Sequence, residues 1–238
     1  AHLASVVRDA DPYRHPITTN YTRSTAPWNE MVTWHAYLGI PAAQVDGWLA
    51  ALVGKYKGYG KPVLNTEFGN RGSLSNVDPV KWRIAVWSAY MNESNILFWG
   101  MSGRKTEPGK IKGNANAYLG PESRRYFRIF HDFTRDLPID LRPVEASYSA
   151  QHDLRIYAMA NGSTAVVYIH HFSDHRTPYS DVRRIYVHTG PGRYRATWID
   201  PATGAVVKTV DAETRGQYAY FDVPPVTIDL ACRLDRRD

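Results

Sequence analysis

The chain has 238 residues, 43% of them hydrophobic and 22% charged, with a formal net charge of +6 at pH 7. That is material for one large core or two modest ones, and the absence of any low-complexity tract excludes a disordered chain. The basic residues are scattered rather than set in a stripe among aromatics, so no nucleic-acid partner is expected; no stretch is long enough to span a membrane, and a single cysteine, Cys232, excludes an internal disulfide.

Residues 1–10 (AHLASVVRDA) place Leu3, Val6 and Val7 at helical spacing before Asp11-Pro12, a stop signal. They read as a helix whose beginning lies elsewhere. Residues 17–22 are short and β-branched, and 31–38 form a second strand candidate. Between them, 23–30 leave room for a turn or one helical turn. Residues 41–56 predict a helix with Val45, Trp48, Leu49, Leu52 and Val53 on one face, ended by the glycines at 58 and 60. Residues 61–70 (KPVLNTEFGN) predict a short buried strand, in which Val63 and Leu64 lead to a polar tip carrying Glu67 and Gly69. Asp78 suits an N-cap and Pro79 the first position of a helix reaching Met91. Residues 96–100 (ILFWG) form a fourth short apolar strand, and 122–135 a helix with Phe127, Phe130 and Phe133 roughly on one side. This alternation predicts parallel βα units. It holds four strands, where a closed (β/α) barrel needs eight.

After Leu137-Pro138 the pattern changes to short alternating runs: 154–159, 165–169, 184–187, 194–199, 205–210, 218–221 and 226–230. Asn161-Gly162, Pro191-Gly192 and Thr203-Gly204 punctuate them as turns. They predict an antiparallel β-sandwich, with a boundary near 138–144 and two domains, 1–140 and 141–238.

A strand that delivers a carboxylate at its C-terminal end is how a (β/α) barrel presents catalytic groups, which singles out Glu67. On its own, Glu67 would also suit an ion pair with a loop arginine such as Arg71 or Arg104. His35 and Tyr37 alternate along one strand and so share a face; they suit a barrel mouth or a core equally. The densest set of metal-ligand types, His170, His171, Asp174 and His175, lies at a strand end and its loop. Neighbouring histidines on a strand point to opposite faces, so no metal site is expected. With no phosphate loop or dinucleotide fingerprint, no cofactor is expected either.

Lys61-Pro62-Val63 followed by Thr66-Glu67-Phe68-Gly69, His35-Ala36-Tyr37 and Phe98-Trp99-Gly100 occur in an order and spacing that resembles the second half of a clan of retaining (β/α)8-barrel glycoside hydrolases, the family-5-like and apiosidase-like enzymes. The resemblance covers 1–137. It implies that Glu67 is the nucleophile at the end of strand 7. It also implies that His35 and Tyr37 sit on strand 6, and that Trp99 lies beneath the bound sugar. Asn20 and Tyr21, at the end of the first strand, are further cleft candidates. Arg104, Lys105 and Asn114 lie in the long loop after the last strand, where substrate contacts or plain solvation both fit. Residues 194–204 (YRATWIDPATG) resemble a module appended to some of these barrels.

The clan's acid/base glutamate ends strand 4, and the resemblance implies that these residues begin in the helix after it. Asn29-Glu30 is an Asn-Glu pair, but it precedes strand 6 and lies at the wrong face. The expected fold is α/β plus all-β, a partial (β/α) barrel (about strands 5–8) followed by an antiparallel β-sandwich. The resemblance implies a carbohydrate substrate, and a partner that is a complementary N-terminal barrel half or a second copy of the chain. The alternative is a non-catalytic glycan- or protein-binding remnant.

Overall fold

The computed structural model describes residues 1–20, 23–69, 78–98, 119–148 and 153–238. In chain order these give α1 (His2–Ala10), β1 (Val32–Tyr37), α2 (Ala42–Lys57), β2 (Val63–Gly69), α3 (Pro79–Met91) and α4 (Pro121–Thr134). The strands β3 (Arg142–Pro143), β4 (Ala146–Tyr148), β5 (Leu154–Ala160), β6 (Thr164–His171), β7 (Arg184–His188), β8 (Tyr194–Ile199), β9 (Val206–Arg215), β10 (Tyr218–Asp222) and β11 (Asp229–Arg236) follow. Two compact units result. One comprises the described residues of Ala1–Gly39, Leu49–Val77 and Ser94–Tyr118, and the other those of Ile40–Trp48, Asp78–Glu93 and Leu119–Asp238. The passage from the last helix to the first strand of the antiparallel sheet falls between Thr134 and Arg142, and the residues on both sides of it lie in the second unit. No described helix is long and apolar enough to cross a membrane.

In the first unit, β1 and β2 pair in parallel. Asn20 bridges Thr33 in parallel on one side, and Phe98 bridges Phe68 in parallel on the other. Four parallel segments thus lie side by side in chain order, as successive βα units arrange them. The apolar residues of β1 and β2 fall where the sequence pattern puts them: Val32, Trp34, Val63 and Phe68 are all at most 2% exposed. Trp34 meets the Phe68 ring edge-on at 6.3 Å. Lys61 explains the start of β2, since its ammonium donates to the carbonyls of Ser24 (2.7 Å) and Ala26 (2.9 Å) and ties the strand to the preceding turn.

In the described parts of the two outer segments, the pairing is limited to isolated bridges. At 17–22 the described part holds a single bridge. Side chains take over the pairing there: Thr18 Oγ1 donates to Met31 O (2.9 Å), and Asn29 Oδ1 accepts from Thr19 N (3.3 Å). At 96–98 only Phe98 is bridged; Tyr21, Arg71, Trp99, Arg104, Lys105 and Asn114 lie outside the described residues. In α1 the face made by Leu3, Val6 and Val7 is exposed.

The second unit is built on a nine-stranded antiparallel sheet in the order β3-β5-β6-β11-β8-β9-β10-β7-β4. It curls around one core to which Val167, Ile169, Val187, Trp198, Phe221 and Cys232 contribute. Alternation along each strand supplies the inward residues. The buried Trp198 indole donates to Asp222 O at 2.9 Å, so its polar edge is satisfied. The last strand differs from expectation. The apolar run at 226–230 predicts the strand, yet β11 runs from Asp229 to Arg236. Pro224-Pro225 hold off its start, and beyond Leu230 the charged Arg233 and Asp235 alternate with buried Cys232 and Leu234. The short β3 and β4 carry too few residues to show a period.

Helices α3 and α4 belong to this unit. Asp78 caps α3 by accepting from Val80 N at 3.0 Å, with Pro79 at the first position. Nearly every residue of α3 is buried. Trp87 stacks on Tyr168 of β6 at 5.6 Å, and Phe130 and Phe133 of α4 meet its ring at 5.2 and 4.9 Å. Polar groups lock the same surface: Arg83 of α3 makes two bonds, 3.0 and 2.7 Å, to Asp229, which also accepts from Tyr168 at 2.9 Å.

Candidate active site

Glu67 stands near the C-terminal end of β2, and Tyr37 ends β1 beside it. The Tyr37 hydroxyl donates to Glu67 Oε2. His35 Nδ1 lies 3.2 Å from the same oxygen. Asn20 Nδ2 lies 3.4 Å from His35 Nδ1. The structure therefore brings together Asn20, His35, Tyr37 and Glu67, four of the residues singled out in the sequence. Trp99 lies outside the described residues.

The position is half-open: the Glu67 side chain is 25% exposed and that of His35 16%. Partial burial, then the hydrogen bond to Glu67 and its charge, push the Tyr37 phenol up to about 12. Tyr37 is therefore a hydroxyl donor throughout the physiological range. Among the described residues, both contacts fall on Oε2, and no second carboxylate is seen against Glu67. Glu30 is bound elsewhere, accepting from Ile17 N at 2.7 Å and pairing with Arg8. It precedes β1, whose far end carries Tyr37.

Sequence reasoning missed two polar features. Asn65 is 1% exposed inside β2 and bonds to both neighbouring segments. An asparagine after two apolar residues in a strand is disfavoured by propensity, and that was the available signal. The second is Asp46 of α2, fully buried in the second unit. Tyr157 donates to its Oδ2 at 3.1 Å, His170 Nδ1 lies 2.9 Å from Oδ2, and Arg155 Nη1 lies 2.6 Å from Oδ1. Gly47 permits this approach, because a Cβ there would sit 3.0 Å from Arg155 Cζ. Beyond it, His170 and His175 face each other with their Nε2 atoms 3.0 Å apart.

The histidine-rich segment does not converge. Asp174 accepts from the amides of Arg176 and Thr177 in a turn, while His171 Nε2 lies 3.3 Å from Ser173 Oγ. Among the described residues, no group of three His, Cys, Asp or Glu is placed to hold a metal ion.

No protein-family model and no curated protein sequence matches the chain. Solved structures do resemble it. One described as a glycoside hydrolase superposes with a TM-score of 0.66 at 14% identity, over 99% of this chain and 61% of that one. A glycoside hydrolase family 5 protein from Bacteroides vulgatus ATCC 8482 gives 0.62 at 13% identity, over 98% and 58%. A glucosidase from Croceicoccus marinus gives 0.51 at 12% identity, over 99% and 63%. The chain thus spans about three fifths of the length of each of these proteins. At such identities the likeness carries the fold, and the fold of this chain is glycoside hydrolase-like.

Proposed function

We propose that the chain is the nucleophile-bearing part of a retaining glycoside hydrolase, with 1–140 as the C-terminal half of a (β/α)8 barrel (about strands 5–8) and 141–238 as an appended β-sandwich. The observation that carries this reading is the Glu67 carboxylate at the C-terminal ends of parallel segments, held through Oε2 by Tyr37 and close to His35. In a double displacement, Glu67 Oε1 attacks the anomeric carbon of a carbohydrate substrate. The glycosidic bond breaks, and its oxygen takes a proton from a second carboxylic acid about 5–5.5 Å from the first. Water then releases the sugar. Tyr37 donates to the carboxylate that is regenerated, and His35 and Asn20 line the substrate side; Trp99 is the proposed sugar-stacking residue.

The second carboxyl is assigned to a complementary N-terminal barrel half. The first unit has a surface that such a half would cover. Among the described residues, the segment at 18–20 is bridged only to β1, which leaves its other side as an edge. The face of α1 exposes Leu3 (78%), Val6 (50%) and Val7 (51%). A cleft of about 560 Å³ between them is lined by Leu3, Val7, Ile17, Thr18 and Trp28. A second copy of the chain is the other occupant to be distinguished, by mass in solution.

Hydrolysis of a panel of aryl glycosides by the assembled protein, compared with Glu67→Gln, tests the proposal. Loss of hydrolysis in the variant is expected, and hydrolysis that survives it overturns the assignment. A second reading, a glycan-binding remnant without catalysis, rests on the absence of a second carboxylate beside Glu67 among the described residues. Glycan binding without hydrolysis in every assembly favours it.

A further inference from the structure

β2 carries one residue more than β1 next to the site. Trp34 pairs with Asn65, but His35 pairs with Glu67, so Thr66 is unmatched and the strand bulges. Side chains alternate with period two, and one extra residue reverses the face taken by everything after it. Burial records the reversal: Val63 and Asn65 are buried before the bulge, and Phe68 after it. Phe68 thereby packs against Trp34, and Glu67 turns to the face that carries His35 and Tyr37.

A bulge leaves backbone groups without their ladder partners. The Asn65 carboxamide supplies them. Its Nδ2 donates to Trp34 O (3.1 Å) and to Glu67 O (2.8 Å), and its Oδ1 accepts from Leu97 N (2.9 Å). Asn95 pairs in turn with the Asn65 backbone, accepting from its N at 2.9 Å and donating to its O at 3.0 Å. One buried side chain therefore joins three neighbouring segments across the bulge, using three of its four hydrogen-bonding positions.

We infer that Asn65 is a positioning residue for Glu67: its carboxamide fixes the bulge that turns the carboxylate toward Tyr37 and His35. The bearing on catalysis rests on the nucleophile reading of Glu67; the bearing on geometry does not. Asparagine is demanded because a carboxylate of the same shape lacks both donors and would face two carbonyl oxygens, while alanine lacks all three bonds.

The test reads the 238-residue chain without requiring turnover. In Asn65→Ala, hydrogen exchange at the Leu97 amide is expected to rise at least tenfold, while the Phe68 amide, bonded to Leu97 O at 2.8 Å, stays protected. The Tyr37 phenol, assigned by NMR against Tyr37→Phe, is expected to titrate at least half a unit closer to the usual tyrosine value of about 10. Ser94→Ala, which removes a 3.0 Å bond to Val63 O on the same strand before the bulge, serves as control and is expected to change neither. Should Asn65→Ala not fold, Asn65→Ser, which keeps one hydroxyl in the space, is read the same way. In an active assembly kcat falls about 10- to 100-fold with KM within about twofold, since a displacement near 1 Å has that effect. An unchanged Tyr37 titration and Leu97 protection in a folded variant overturns the inference. Absence of hydrolysis in every assembly, with Tyr37 responding as stated, overturns the nucleophile reading alone.

Discussion

Two carboxylates in this molecule have nearly the same company. Glu67 has a tyrosine hydroxyl and a histidine Nδ1 at one oxygen, and so has Asp46. They differ in two respects. The Glu67 side chain is 25% exposed and that of Asp46 is fully buried. Asp46 also has Arg155 on its other oxygen at 2.6 Å, whereas both contacts given for Glu67 among the described residues fall on Oε2. A tyrosine and a histidine beside a carboxylate therefore do not identify a catalytic site. Under the nucleophile reading proposed for Glu67, solvent access is what sets it apart from Asp46. Asp46 is sealed and neutralised, so its role is to hold the first two turns of α2, the part within the second unit, against β5 and β6.

The contrast can be broken in order of expected effect. Glu67→Gln should lower hydrolysis by the assembled protein about 10⁴-fold or more, the scale seen when a nucleophile is removed. It should leave the urea midpoint almost unchanged, because the side chain is partly solvated; a large fall in midpoint would put Glu67 in the structural class with Asp46. Asp229→Asn should do the reverse. It leaves Arg83, whose side chain is 3% exposed, without its counter-charge, and the loss should be about 3–5 kcal/mol in urea unfolding. Asp46→Asn should cost less, about 1–3 kcal/mol, since Arg155 is one-third exposed and regains water.

A smaller effect concerns pH. Burial alone would push the Asp46 carboxyl up, but His170 and Arg155 beside it outweigh burial and hold it below the usual range. Burial, with His170 adjacent, pushes His175 down. Both groups bind protons less readily folded than unfolded, so stability rises with pH. The His175 contribution is present above about pH 6.5 and lost as pH falls through its folded value; that of Asp46 is present above about pH 4 and lost below. The urea midpoint should therefore fall between pH 7.5 and 5.5 and again below 4, and His175→Gln should remove the first step. A midpoint that rises on acidification would reverse the signs assigned here.

Much of this was legible in the sequence where a pattern had room to repeat. The periods of α2 and α4, the Asp78-Pro79 start of α3 and the alternation of β7 and β8 all carry enough residues to show. Glu67, His35 and Tyr37 could be grouped because strand alternation puts 35 and 37 on one face and the motif ends β2 beside them. What stayed hidden has a common cause. Asp46 follows Val45 in an apolar stripe, and its partners Arg155, Tyr157 and His170 lie more than a hundred residues away, so only the fold brings them together. The bulge at Thr66 is a mismatch between two strands and has no signature within either one. β11 was misplaced because its register is set by its neighbours β6 and β8, and hydrophobicity alone favoured the start of the run.

The most direct test of Glu67 is covalent trapping. Activated 2-deoxy-2-fluoro glycosides carry leaving groups that need no protonation, so they report on the nucleophile even where the acid/base is supplied by another segment. After exposure of the chain, alone and in its assemblies, to a panel of such sugars, peptide mass spectrometry should find one glycosyl adduct, on Glu67. An adduct on any other residue, or trapping that persists in Glu67→Gln, would contradict its role as the nucleophile.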